Sequence, residues 1–154
     1  HNDGVGFLQT HINGQVIGLT QRMFNPFGEN VRYIYQGRKG SYTGDISPFY
    51  NNNHHIVVFE KMFGMLRALT IATERNIPLT LLSSNGSKLD YKFWNRFNPA
   101  NLIFIMDNDM AGNSARDFLR KLGFNAFSSR QETDMLGDNE MEKLLLNAKS
   151  ILLR

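Results

Sequence analysis

The run Leu102-Ile103-Phe104-Ile105-Met106-Asp107-Asn108-Asp109-Met110-Ala111-Gly112 decides how the chain is read. Its apolar start has no polar interruption, which marks a strand buried on both faces, as inside a parallel sheet. Two acids end the run, and from Ala111 the residues take up helical spacing. A strand passing straight into a helix is one half of a βαβ unit. Residues two apart at a strand end project to one side, so Asp107 and Asp109 share a face. Like charges held that close are costly unless a cation lies between them, and Mg²⁺ is the usual occupant of an all-oxygen site. The pattern points to metal-dependent phosphate chemistry.

Working outward, His55-Ile56-Val57-Val58-Phe59-Glu60 repeats the theme of a buried strand closing on an acid. Lys61 to Asn76 carries Met62, Met65, Leu66, Leu69 and Ala72 on one stripe, predicting an amphipathic helix. Ile77 to Leu82 predicts another strand, followed by Ser83-Ser84-Asn85-Gly86, and Lys88 to Phe97 a short helix. Beyond the opening run, Ala111 to Leu122 is helical with Gly123 as its stop, and Phe124 to Ser128 is a fourth strand. Met141, Leu144, Leu145, Ala148, Ile151 and Leu152 stripe a final helix. Strands alternating with helices predict an α/β fold, a parallel four-stranded sheet with right-handed crossovers. The carboxyl ends of such strands line one edge, where ligands bind, so Glu60 is expected to meet Asp107 and Asp109 there.

Ahead of this the chain reads differently. Phe7 to His11 and Gln15 to Met23 are short strands joined at the hairpin dipeptide Asn13-Gly14, and Val31 to Tyr35 alternates as a third, closed by Gly37 and Gly40. The polar stretch from Ser47 to Asn53 marks a boundary. Residues 1–53 are therefore expected to form a small β-rich subdomain and 54–154 the α/β domain.

The totals set bounds. A chain of 154 residues with 42% hydrophobic residues can build a real core, as one domain or a domain with a small module. No apolar run is long enough to cross a bilayer, so no membrane partner is expected. The absence of cysteine excludes disulfides and thiolate zinc sites within the chain, and fits a cytoplasmic location. A formal net charge of +3 permits a nucleic-acid partner. The opening His1-Asn2-Asp3-Gly4 has no initiator methionine and reads as the start of an excised fragment.

A strand-end Glu60 followed, one βα unit later, by strand-end Asp107-x-Asp109-x-Ala111-Gly112 resembles the Toprim domain. That Rossmann-like family includes bacterial, phage and plasmid primases of the DnaG type, topoisomerases and some nucleases. Leu81-Leu82-Ser83-Ser84-Asn85-Gly86 resembles its small-residue loop, and the likeness spans roughly residues 54 to 147. It implies that Asp107 and Asp109 carry Mg²⁺ or Mn²⁺ and that Glu60 completes the site or moves a proton. It also implies a further acid before the last helix, for which Asp134, Asp138 and Glu140 are candidates; Asp138-Asn139 resembles the pair found there in plasmid and phage primases. Each has a bland counterpart. Asp109 can equally cap the following helix, and Asn139 with Glu142 makes a serviceable capping box. Two positions depart from the pattern: Lys61 stands where primases have glycine, and Gly64 where they often have aspartate. Lys61 can reach a phosphate or neutralise part of the acidic edge.

The front segment resembles the region preceding Toprim in phage and plasmid primases, through Gly6-Phe7-Leu8, Asn13 to Leu19, Gln21-Arg22 and Arg32 to Lys39. In that family it forms a basic wall beside the metal site. Arg22, Arg38 and Lys39, with Tyr33, Tyr35 and Tyr42, supply phosphate contacts and stacking faces for unpaired bases. Arg32 fits binding and a solvated edge equally. Lys88, Lys92 and Arg96 recur on one helix face and are better read as solvated. His54-His55 has no companion ligands at metal spacing.

The function expected is the catalytic core of a primase-like nucleotidyltransferase, making RNA primers on single-stranded DNA from nucleoside triphosphates. A replicative helicase would be met through regions outside this chain. A Toprim nuclease or topoisomerase-related domain is the alternative, although there is no room for the separate domain that carries a topoisomerase's tyrosine. A non-catalytic nucleic-acid-binding scaffold is the third reading, motivated by Lys61 and Gly64.

Overall fold

The computed structural model describes residues 4–10, 15–24, 33–37, 55–89 and 91–154. The expected boundary between 53 and 54, the Asn13-Gly14 turn, and Arg32, Arg38, Lys39 and Tyr42 lie outside the described residues.

Two sheets account for the strands among the described residues. The first is antiparallel, with strands β1 (Gly4–Thr10), β2 (Val16–Met23) and β3 (Tyr33–Gly37) in that spatial order. The second contains β4 (Ile56–Phe59), β5 (Thr80–Ser83), β6 (Leu102–Met106) and β7 (Asn125–Ser128) in the order β5-β4-β6-β7, every pair parallel. Between and after these strands lie α1 (Met62–Glu74), α2 (Tyr91–Trp94), α3 (Met110–Lys121) and α4 (Asp138–Leu152).

Alternation along the central strands divides the core. Val57, Phe59, Leu81, Ile103 and Ile105 pack with the buried stripes of α1 and α4, including Met65, Ala68, Met141 and Leu145. Their neighbours Ile56, Val58, Leu82, Phe104 and Met106 pack on the other face against Phe93 and Trp94 of α2 and Ala115 and Leu119 of α3. Period-two side chains feeding two helical layers explain why these strands read as unbroken apolar runs. The expected parallel four-stranded α/β sheet with a preceding β-rich unit is what the chain forms.

Several elements differ from expectation at their ends: β1 opens at Gly4 rather than Phe7, and β3 runs on to Gly37 rather than stopping at Tyr35. The strand expected from Ile77 pairs only from Thr80, because Pro78 has no N–H to give the ladder. The helix expected over Lys88 to Phe97 is a single turn, Tyr91–Trp94, and Asn98 beyond it caps the 3-10 turn Pro99–Asn101 through Ala100 N–H at 3.0 Å. Helix α4 begins at Asp138, so its cap lies two residues before Asn139. Gly137 is its N-cap, and Glu140 Oε2 accepts the Gly137 N–H at 3.2 Å. Glycine has no side chain to return that bond, so half of a capping box is present. Gly123, with φ +88°, ends α3 as expected.

Candidate active site

The strand order places the site. β4 is continued on one side by β5 and on the other by β6, so the chain turns in opposite directions from adjacent strands. The crevice at the carboxyl ends of such a pair is where α/β sheets bind ligands. Glu60 leaves β4 and Asp107 leaves β6 at that point.

Glu60 is held at three atoms. Its N–H donates to Ile105 O at 3.2 Å, its carbonyl accepts Gly86 N–H at 2.7 Å, and its carboxylate Oε2 accepts Asp107 N–H at 2.8 Å. The Gly86 bond comes from the Ser83-Ser84-Asn85-Gly86 loop. There Asn85 takes φ +55° and Gly86 φ +132°, and Ser84 Oγ donates to the Gly86 carbonyl at 2.9 Å. The small-residue loop thus clamps the glutamate backbone. Glu60 and Asp107 are 6% and 2% exposed, unusual burial for two carboxylates unless paired or bonded.

Asp109 lies at the surface as the N-cap of α3, its Oδ1 accepting Gly112 N–H at 2.7 Å. The capping role is realised, with one carboxylate oxygen engaged. Gly112 has a second task. A Cβ there would overlap the Asp107 carbonyl oxygen and stand 3.0 Å from Glu60 Oε2. Only glycine lets the first turn of α3 close on the two acids.

The Lys61 ammonium lies 2.8 Å from Asp107 Oδ2 and 3.7 Å from Glu132 Oε1. That aspartate oxygen is buried, and the lysine serves it as a counter-charge. Burial pushes the Glu60 carboxyl above its ordinary value; the bond from Asp107 N–H pulls it partly back, and the Asp107 and Asp109 charges push it up again. Burial likewise raises Asp107, against the pull of the Lys61 ammonium, with repulsion from Asp109 and Glu132 adding to the rise. The three expected acids therefore feel one another electrostatically. Among the described residues, however, no three acidic or histidine side chains stand in a ready metal-holding arrangement.

The remaining expected residues are placed apart from this contact. Asp138 is the first residue of α4 and its Oδ1 pairs with Arg67 Nη2 at 2.5 Å, while Arg67 Nε donates to Leu136 O at 2.7 Å. Arg22, on β2, pairs with Asp134 Oδ2 at 3.1 Å and lies 5.5 Å over the Phe63 ring, tying the antiparallel sheet to the α/β unit. Lys88 and Lys92 are exposed, and Arg96 lies 5.7 Å over the Phe93 ring. Gly64 faces the 3-10 turn Thr133–Met135, where a Cβ would overlap Thr133 Oγ1. An aspartate has no space there, which gives the departure at this position a packing reason. Glu132 was not anticipated from sequence. It comes from a loop distant in the chain, and no local motif marks it.

Raised carboxyls set the sign of a pH effect. Both acids bind protons more readily folded than unfolded, so their own contribution to stability is greatest below the ordinary carboxylate range and is lost as pH rises through their folded values. Glu60→Gln, whose amide oxygen can still accept Asp107 N–H, removes one of the repelling charges. Denaturant titrations in metal-free buffer should find the variant gaining on wild type at neutral pH, with the gap closing on acidification. A gap that widened toward acid would contradict the assignment.

Neither a protein-family model nor a curated protein matches the sequence. Solved structures do. A DNA primase domain from Pseudomonas aeruginosa superposes with TM-score 0.63 at 18% identity, covering 96% of this chain and 50% of the other. The RNA polymerase domain of Mycobacterium tuberculosis primase DnaG, solved with double-stranded DNA, gives 0.57 at 16% identity, covering 93% and 52%. The E. coli primase catalytic core gives 0.55 at 16% identity, covering 97% and 55%. The chain spans about half the length of these structures. At these identities the likeness is one of fold. The described elements of this chain adopt the fold of a DnaG-type primase catalytic core.

Proposed function

We propose that the chain is part of the catalytic core of a primase-like enzyme that joins ribonucleotides on single-stranded DNA in a divalent-metal-dependent reaction. The observation that carries this reading is the 2.8 Å bond from Asp107 N–H to Glu60 Oε2, which joins two acids distant in sequence at the switch point of the sheet. The primase-core fold around it supports the same reading.

The donor set suits a hard cation. The available atoms are carboxylate oxygens, two of the groups are buried, and one already holds a cation, the Lys61 ammonium. Asp107 and Asp109 are the residues that would hold Mg²⁺ or Mn²⁺, with Glu60 beside them. When bound, such an ion would neutralise charge building on the transferring phosphate. Asp138 would have to leave Arg67 to join them. Glu60, with its raised affinity for a proton, suits the base that takes the proton from the attacking hydroxyl oxygen. Its backbone anchors and the glycine at 112 hold it in place for that step. On this reading Lys61, Arg38 and Lys39 would contact template and nucleotide phosphates, and Arg22 would have to leave Asp134 to join them.

A second reading draws on the same lysine. A scaffold that binds nucleic acid without turnover could keep the ammonium at Asp107 permanently, as a structural ion pair. Template-dependent synthesis separates the two. The protein, supplied with single-stranded DNA, nucleoside triphosphates and Mg²⁺, should make short RNA; DNA binding without product would favour the scaffold. Cleavage of labelled DNA without nucleotides would favour a nuclease.

A further inference from the structure

Lys61 stands at the N-cap of α1, directly after Glu60, yet its side chain makes no capping bond. The capping position explains neither the residue nor its direction. Its head instead reaches between Asp107 Oδ2 at 2.8 Å and Glu132 Oε1 at 3.7 Å, with the side chain 27% exposed. Without it, the buried Asp107 carboxylate would keep Asp109 and Glu132 as like-charged neighbours with no counter-charge from this residue.

We propose that Lys61 is a resident counter-cation that competes with the divalent ion for Asp107, so that ion entry and departure of the ammonium are one exchange. This rests on the metal-dependent reading above. An ammonium on a four-carbon stem is a mobile point charge, able to leave by rotation about its own bonds. It supplies one charge where a divalent ion supplies two, and its side chain is 27% exposed, so water can take its head when the ion arrives. The pair therefore holds the acids together while the ion is absent and yields when it arrives. Thermodynamic reciprocity requires that whatever draws Lys61 away also tightens the ion's binding.

The test is a Mn²⁺ titration followed by electron paramagnetic resonance and calorimetry on wild type, Lys61→Met and Lys61→Arg. Lys61→Met should bind Mn²⁺ about tenfold more tightly, within the usual range of coupling between ligands. Lys61→Arg, which keeps the charge, should stay near wild type. In wild type, Mg²⁺ should shift the Lys61 ammonium resonance in NMR from an ion-paired to a solvated position, a readout that needs no variant to fold. Equal or weaker Mn²⁺ binding by a folded Lys61→Met, with wild type still binding, would overturn the exchange and leave the metal site standing. An unmoved ammonium signal at saturating Mg²⁺ would do the same. Absence of Mn²⁺ binding by both wild type and Lys61→Met would overturn the exchange and the metal-dependent reading together.

Discussion

Asp107→Asn is expected to lower primer synthesis by about 10²–10³-fold, the usual loss when one group that stabilises transition-state charge is removed. The substitution keeps the shape of the side chain and the backbone N–H that donates to Glu60 at 2.8 Å, so the strand ends stay together. What it removes is the anionic oxygen. Two opposing effects on stability follow. The repulsion that Asp109 and Glu132 exert on a buried carboxylate disappears, with the repulsion that carboxylate exerts on Glu60, and so does the charge facing Lys61. Lys61 is partly open to water and retains Glu132, so its head can be solvated, and the net change should stay within about 1 kcal/mol. Denaturant unfolding, single-stranded DNA binding and primer synthesis on the same preparation form the decisive set. Lost synthesis with stability and DNA binding retained places the carboxylate in the chemistry. Undiminished synthesis would remove the site from consideration.

The legible part of this molecule is the part encoded locally. Ile56 to Phe59 and Leu102 to Ile105 are apolar without interruption because both faces of a central parallel strand are covered, and the acids that follow mark where each strand leaves the sheet. From those runs alone the sheet and the approach of Glu60 to Asp107 could be anticipated. The capping role of Asp109 was visible too, since an acid before a helical run commonly binds its free N–H groups. What stayed hidden depends on pieces distant in the chain. Nothing near residue 61 announces that its ammonium will reach Glu132, and nothing near residue 64 shows the turn at Thr133 pressing against it. Arg22 read as a phosphate contact because a basic residue on a short strand fits that role. Its pairing with Asp134 follows from how the antiparallel sheet meets the α/β unit, which spacing cannot reveal. One element end was misjudged where a single residue's hydrogen bonding mattered, at Pro78.

Gly112→Ala should be the most damaging single-methyl change at the site, although simple propensity gives it the opposite sign. Alanine in place of glycine inside a helix ordinarily stabilises by about 1 kcal/mol. Here the added carbon would overlap the Asp107 carbonyl oxygen and crowd Glu60 Oε2 at 3.0 Å. The first of those atoms is backbone at the end of a central strand and has no rotamer by which to escape. Overpacking of this kind costs about 1–3 kcal/mol or more, so the expected net is a destabilisation of about 2 kcal/mol. The chemical loss should exceed it. Relief of the overlap must move α3 away from Asp107 or shift the Asp107 backbone whose N–H holds Glu60. It also disturbs the Gly112 N–H that fixes Asp109 at 2.7 Å, so all three acids are affected by one methyl group. Displacements of tenths of an ångström to an ångström in such a constellation cost up to about 10²-fold in rate. Gly123→Ala is the control, because its added carbon meets nothing within 4 Å and only the φ of +88° opposes it. That variant should lose about 1 kcal/mol of stability and keep its activity. Synthesis measured well below both melting temperatures separates the two effects. If Gly112→Ala proved as active and as stable as wild type, the close approach of α3 to the acids would be of no consequence, and the geometry assigned to Glu60, Asp107 and Asp109 would have to be given up.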